Sequence, residues 1–420
     1  MTGAFCDHRR GEQQSAGTVG LAVFPYPVAD IPARCRCGVR RLTKSPFYTA
    51  DHIAFRDTVR RFVEREIEPY AHIWDEAGEF PRALYEKAAR IGLLGLGFPE
   101  EYGGTEADRF MWIIAVQELA RAGAGGVSAG LNSHSIGAPP IARAGRAELK
   151  VRVLPEILLG KKISALAITE PSGGSDVANL RTAARRDGDC YVVNGEKTFI
   201  TSGMRADYIT TAVRTGGPGA GGVSLLLIDG ATPGLTRTPL KKMGWWASDT
   251  ATLHFDNCRV PAGNLLGEEG AGFKLIMHNF NNERLTMAAG CTAAARACLD
   301  DAMEYAKQRH TFGKPLAQHQ VIRHKLVDIA QRVAASQAML EMLAWRLDQG
   351  ENPVAEICML KNQATQTMAF CASEAVQIFG GAGYMRGLKV ERIYREVKVN
   401  AIGGGSEEIM KDLASRQMGL

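Results

Sequence analysis

Tyr191-Val192-Val193-Asn194-Gly195-Glu196-Lys197-Thr198-Phe199-Ile200-Thr201 is the stretch that decides how the chain is organised. β-Branched and aromatic residues flank an Asn-Gly pair. That dipeptide best tolerates the positive φ angles of a two-residue hairpin turn. The reading is two strands joined at Asn194-Gly195. Strand-like runs recur at 207–213, 223–228 and 251–259, separated by turn residues. The glycine-rich stretch 216–222 lies between two of these runs with no helix after it, so it reads as a surface loop and not a phosphate cradle. Residues 163–276 are expected to form a middle β domain, a small barrel.

Outward from this unit the period changes to that of helices. Phe55, Val59, Phe62, Val63 and Ile67 fall on one helical face, with Thr49 as cap and Pro69 at the end. Further helical spans are expected at 82–93, 108–123 and 128–144, making 45–162 an N-terminal helical domain. On the other side, 283–308 carries Ala288, Ala289, Ala293 and Ala294, small residues that permit close helix packing. Long helical spans follow at 318–348 and 352–378, so 277–420 is expected to be a C-terminal four-helix bundle. The fold class is α+β multidomain. Residues 1–44 show neither period and read as a disordered extension.

Of 420 residues, 45% are hydrophobic and 23% charged, which excludes a wholly disordered chain. No apolar run approaches the roughly 18 residues of a membrane span. The net charge is +5, and residues 1–44 hold seven basic and three acidic residues, a net of +4. The basic balance therefore belongs to that segment and gives no reason to expect a nucleic-acid partner. Nine cysteines are scattered without a CxxC pair, which reads as free thiols in a reducing, cytoplasmic compartment with no metal site.

Four motifs carry a family resemblance. Ala167-Ile168-Thr169-Glu170-Pro171-Ser172-Gly173-Gly174-Ser175-Asp176 closely resembles the flavin motif of acyl-CoA dehydrogenases. Asn194 to Thr201 resembles that family's second flavin segment. Arg309-His310-Thr311-Phe312-Gly313-Lys314 and Gln377-Ile378-Phe379-Gly380-Gly381-Ala382-Gly383 resemble its two bundle motifs. The residue types suit the chemistry. Thr169 and Thr201 offer hydroxyls to a flavin edge. Phe199 offers an aromatic face. Gly173 and Gly174 let backbone approach a ligand. Arg309 can grip a phosphate.

The resemblance implies FAD as cofactor, held by Leu166, Ile168, Thr169, Gly174, Ser175, Phe199, Ile200 and Thr201. It implies further contributions from Arg309, Thr311, Phe312, His319, Gln320, Gln377, Gly380, Gly381, Ser406 and Glu408. In the family the positions of Arg309, Gln377 and Gly381 reach the FAD of a neighbouring subunit, which implies a homotetramer, a dimer of dimers. The implied substrate is an acyl-CoA touching Ser175, Asn281, Arg284 and Gly405. The implied electron partner is an electron-transferring flavoprotein. The alternative on the same fold is a flavin oxidase or monooxygenase that uses oxygen directly.

The implied reaction needs a carboxylate to remove the α-proton, and burial suits a carboxylate to that task near neutral pH. Many relatives carry this Glu in a C-terminal Tyr-Glu-Gly-Thr segment. Here the segment is Gly403-Gly404-Gly405-Ser406, and the Glu position is Gly404. A subset resembling the long-chain and isovaleryl-type enzymes places the base on the first long bundle helix, in Glu-Arg-Leu. Asn281-Asn282-Glu283-Arg284-Leu285 matches it, so Glu283 is the expected base. Gly404 keeps the backbone N–H that would stabilise the enolate oxygen, and it is expected to leave space beside the acyl chain.

Overall fold

Thr49 begins the first helix by a reciprocal cap. Its Oγ1 accepts the His52 backbone N–H at 3.4 Å, and its own N–H reaches His52 Nδ1 at 3.0 Å. Helix α1 (Ala50–Glu66) follows. His52 Nε2 lies 2.8 Å from Asp108 Oδ2, and Asp108 accepts from Met111 N–H to cap α4 (Arg109–Arg121). One histidine thus ties the starts of two helices. The computed structural model describes residues 45–420, apart from the side chains of Asn279 and Asn281. The extension expected at 1–44 lies outside the described residues.

Between and after these helices come α2 (Ala71–Ala77), α3 (Ala83–Arg90), α5 (Gly125–Leu131), α6 (His134–Gly137), α7 (Pro139–Ala144) and α8 (Ala147–Leu158). The single span expected at 128–144 is three short helices. Asn132 closes the first, and Pro139, which has no N–H to donate, opens the last. Val59, Phe62, Val63, Phe80, Leu84 and Leu119 share one buried core.

The middle sheet contains β1 (Ser164–Ala167), β2 (Ala183–Asp187), β3 (Cys190–Thr201), β4 (Tyr208–Arg214), β5 (Val223–Asp229), β6 (Leu235–Pro239), β7 (Thr250–Pro261) and β8 (Leu265–Leu266). The ladder runs β6-β7-β3-β2-β4-β5-β8, with β1 parallel to β4 off that path, so β6, β8 and β1 each pair on one side only. The hairpin expected at Asn194-Gly195 is not there. Residues 190–201 form one strand, and the turn lies at Gly188, φ 60°, and Asp189, between β2 and β3. Gly195 marks a bulge, where the β3–β7 register shifts between Val193 and Gly195. Its φ is 142°, and a Cβ there would sit 2.7 Å from Thr182 Cα. The glycine answers to a close backbone crossing, not to a turn.

The C-terminal region starts with α9 (Gly272–Gln308), so the division expected after residue 276 falls inside a helix. A small hairpin of β9 (His310–Thr311) and β10 (Lys314–Pro315) leads into α10 (Gln320–Asp348) and α11 (Val354–Phe379). Then come α12 (Gly381–Tyr384), α13 (Lys389–Ile402) and α14 (Glu407–Gln417). Ala288, Ala295, Cys298, Ala302 and Ala306 of α9 share a core with Ile357, Leu360, Ala364 and Cys371 of α11. Small side chains on one helix leave room for the larger ones opposite. Among the described residues no helix is long and apolar enough to cross a membrane.

Candidate functional site

The first cluster is built on β1 and β3. Thr198 N–H donates to Thr169 O at 2.8 Å, which lays the segment after β1 against β3. Glu170 is committed to holding this arrangement. Its carboxylate accepts from Arg181 N–H at 2.6 Å, Thr182 N–H at 2.8 Å and Lys197 Nζ at 2.8 Å. Lys197 is fully buried and also donates to Ile168 O at 2.9 Å. Burial pushes the Glu170 carboxyl up, but Lys197 and the two N–H groups outweigh it and hold it below the ordinary range.

A second bulge shapes the surface here. The β3–β7 register shifts again between Lys197 and Ile200, and Phe199 takes φ 60°. Thr198 and Ile200 are buried, while Phe199 between them is 69% exposed. Leu166, Ile168, Thr169 and Thr201 are half-buried, and Gly174 and Ser175 are exposed in the loop beyond. A flat aromatic face beside two hydroxyls and an open loop fits a planar cofactor carrying a phosphate-bearing tail.

A second group gathers at one end of the bundle. The Tyr305 and Phe379 rings stack at 4.2 Å between centroids, joining the ends of α9 and α11. Arg309, Gln320, Gln377, Gly380 and Gly381 are exposed around this junction, and Thr311 and His319 are half-buried. His319 Nε2 lies 3.2 Å from Thr311 Oγ1. Phe312 and Gly313 form the β9–β10 turn with φ 51° and 79°, and Phe312 is 97% exposed. Among the described residues nothing covers the Phe312 ring, and its backbone takes a conformation rare for a bulky residue.

The third cluster joins positions about 120 residues apart in sequence. Glu283 lies on α9, and one turn later Met287 reaches the 403–405 segment between α13 and α14. A Cβ on Gly404 would lie 2.5 Å from Met287 Sδ, and Gly404 has φ 64°. The space expected beside Gly404 is therefore taken up by Met287, and the glycine is called for by its backbone conformation. Glu283 is half-buried as a residue, but its Oε2 is buried with no hydrogen-bond partner among the described residues. Burial pushes its carboxyl up to about 7, while Arg284 and Lys361 pull it down. An orphaned buried oxygen on a carboxylate near neutrality makes Glu283 a candidate proton acceptor.

The other expected residues fall nearby. Arg284 is 6% exposed, its guanidinium over the Phe280 ring at 5.7 Å. Phe280 and Ile168 pack against one core cluster, which connects α9 to the first cluster. The Asn281 side chain lies outside what is described. Ser406 caps α14 by accepting Ile409 N–H at 3.4 Å, and Glu408 is exposed in its first turn. Gly405 O accepts from Lys361 Nζ at 2.6 Å. Sequence reasoning passed over Lys361 and Met287. The signal was present for Lys361, which falls on the same helical stripe as Ile357, Ala364 and Met368.

Three family models match in chain order. They are "Acyl-CoA dehydrogenase, N-terminal domain" over 49–161, the middle domain over 165–258 and the C-terminal domain over 270–419. An acyl-CoA dehydrogenase of Bacillus subtilis is 40% identical over 373 residues, covering 88% of this chain and 98% of the relative. The mitochondrial long-chain specific acyl-CoA dehydrogenase of Rattus norvegicus is 35% identical over 385 residues, 91% of this chain and 88% of its own length. The crystal structure of a probable acyl-CoA dehydrogenase from Mycobacterium abscessus superposes with a TM-score of 0.87 at 48% identity, covering 89% of this chain and all of that one.

Proposed function

The chain belongs to the acyl-CoA dehydrogenase family, an FAD-dependent family of oxidoreductases, and from that premise we propose that it converts an acyl-CoA thioester to the trans-2-enoyl-CoA with Glu283 as base. The observation that carries this reading is the Glu283 carboxylate: buried and unpartnered at Oε2, raised to about 7, and one helical turn before Met287, whose sulfur sits where a Cβ on Gly404 would be. When bound, FAD supplies the acceptor for the hydride that leaves the β-carbon. Glu283 Oε2 takes the α-proton. A base with a pKa near the working pH combines a large ionised fraction with a strong pull on the proton. The Gly404 N–H meets the thioester carbonyl, where negative charge gathers as the α-proton departs.

Leu166, Ile168, Thr169, Gly174, Ser175, Phe199, Ile200 and Thr201 hold FAD from one subunit, with Ser406 and Glu408 closing the site. Ser175, Asn281, Arg284 and Gly405 line the acyl-CoA path. Arg309, Thr311, Phe312, His319, Gln320, Gln377, Gly380 and Gly381 reach the cofactor of a second copy within a homotetramer. The exposure of Phe312 and of the glycine pair supports that assignment. Electrons leave to an electron-transferring flavoprotein. Buried thiols at Cys258, Cys291, Cys298 and Cys371 support a reducing, cytoplasmic setting.

Anaerobic titration with a panel of straight-chain, branched and aromatic acyl-CoA thioesters tests this reading. Bleaching of the bound flavin with formation of the enoyl-CoA is the expected result. Absence of bleaching by every thioester, or a colourless protein that cannot be reconstituted with FAD, would refute it. Rapid peroxide release in air would move the assignment to an oxidase.

A further inference from the structure

Lys361 is fully buried on α11. Its Nζ donates to Gly405 O at 2.6 Å and to Ala401 O at 3.4 Å. These carbonyls bracket the glycine turn: one lies in the last turn of α13, the other directly precedes the Ser406 cap of α14. Asn362, the next residue, donates to Glu407 O at 3.0 Å. Helix α11 therefore grips the segment on both sides of the cap. Burying an ammonium is costly, and the hydrogen-bond partners of this one among the described residues are backbone carbonyls. A leucine or methionine would fill the same space without that cost.

We infer that Lys361 is a positioning residue of the dehydrogenation: its ammonium fixes the turn that presents the Gly404 N–H to the thioester carbonyl. The inference rests on Glu283 being the base. The charged groups facing Glu283 are Arg284 on its own helix and Lys361 on α11. Around Lys361 stand Glu407 of α14, Arg284 and Cys291 of α9, and Cys358. Both cations pull the Glu283 carboxyl down against its burial, so removing Lys361 leaves Arg284 to do so alone. The sign is fixed: loss of the positive charge raises the pKa of the base.

The experiment uses the FAD-loaded full chain and two variants. Lys361→Met removes both charge and donor, while Lys361→Gln removes the charge and keeps a donor. One readout is the infrared carbonyl band of bound trans-2-octenoyl-CoA labelled with 13C at the thioester carbonyl. The other is the anaerobic rate of flavin reduction by octanoyl-CoA from pH 5.5 to 9. In Lys361→Met the band should move toward that of the free thioester. The rising limb should move alkaline by about one unit, roughly a fivefold loss at pH 7. In Lys361→Gln the band should stay near the wild-type position while the limb still moves. If both variants keep the wild-type band and limb, Lys361 only fills space and the inference is overturned. Should the methionine variant fail to fold, Lys361→Ala carries the same band measurement, and an unmoved band there overturns the inference equally. Glu283→Gln separates the two readings. If it still reduces flavin, the base assignment falls, while the band in Lys361→Met continues to test the hold on the turn.

Discussion

At the scale of single residues, the proposed site rests on one carboxylate oxygen kept out of water and one glycine kept in an unusual conformation. Glu283 is raised to about 7 by burial, so its active, ionised form grows as pH rises. The rate of flavin reduction should climb through about pH 7 and level off above it, a profile that stopped-flow absorbance reads directly. Gly404 is constrained twice, by φ 64° and by Met287 Sδ. Gly404→Ala should strain the turn and misplace its N–H, slowing reduction by roughly 10- to 100-fold with FAD content unchanged. Adding Met287→Ala should recover part of that loss, because the flexible end of a side chain is then no longer in the way. A fully active Gly404→Ala enzyme would remove the turn from the mechanism.

At the scale of elements, what could be read depended on whether a signal was local. The α1 cap at Thr49 and the long helices of the C-terminal region follow from apolar spacing and capping residues in the sequence. The hairpin at Asn194-Gly195 was misplaced because the same dipeptide serves a bulge when another strand crosses close by. Only the packing of Thr182 distinguishes the two. Short β1 escaped notice because four mostly buried residues, three of them small, have no alternation to show. Motifs singled out Glu283 and Gly404, and a charge on an apolar stripe marked Lys361, whereas its carbonyl partner some 40 residues on had no local signal. The link between α1 and α4 through His52 and Asp108 is likewise non-local. Asp108→Ala removes the α4 cap and the His52 partner together. It should cost about 1–2 kcal/mol, seen as a lower midpoint in chemical denaturation.

At the scale of the molecule, the N-terminal helices, the sheet and the bundle meet at α13. Arg392 Nε donates to Gly123 O at 2.6 Å, and Arg395 reaches Asp75 at 2.8 Å. The Arg386 and Arg395 guanidinium groups lie over the Trp246 ring at 4.3 and 3.9 Å, so this tryptophan is packed into a junction. Glu396 sits there at 2% exposure, its carboxyl pushed up to about 8 chiefly by burial. A carboxyl whose folded pKa is raised lowers stability as pH climbs from its unfolded value toward the folded one. Glu396→Gln cannot titrate, so its advantage in Tm over wild type should grow from about pH 4.5 to pH 8. A pH-independent difference would contradict this placement of the proton. Assembly belongs to the same scale. Light scattering should find four chains of 45.4 kDa, and Phe312→Asp should weaken both assembly and FAD retention.

The central claim is that Glu283 takes the α-proton. Anaerobic mixing of FAD-loaded Glu283→Gln with an acyl-CoA that bleaches the wild type tests it most directly. The account predicts intact flavin absorbance, retained binding of the enoyl-CoA, and reduction slowed by about 10²–10⁴-fold. Bleaching at the wild-type rate would show that another group removes the proton.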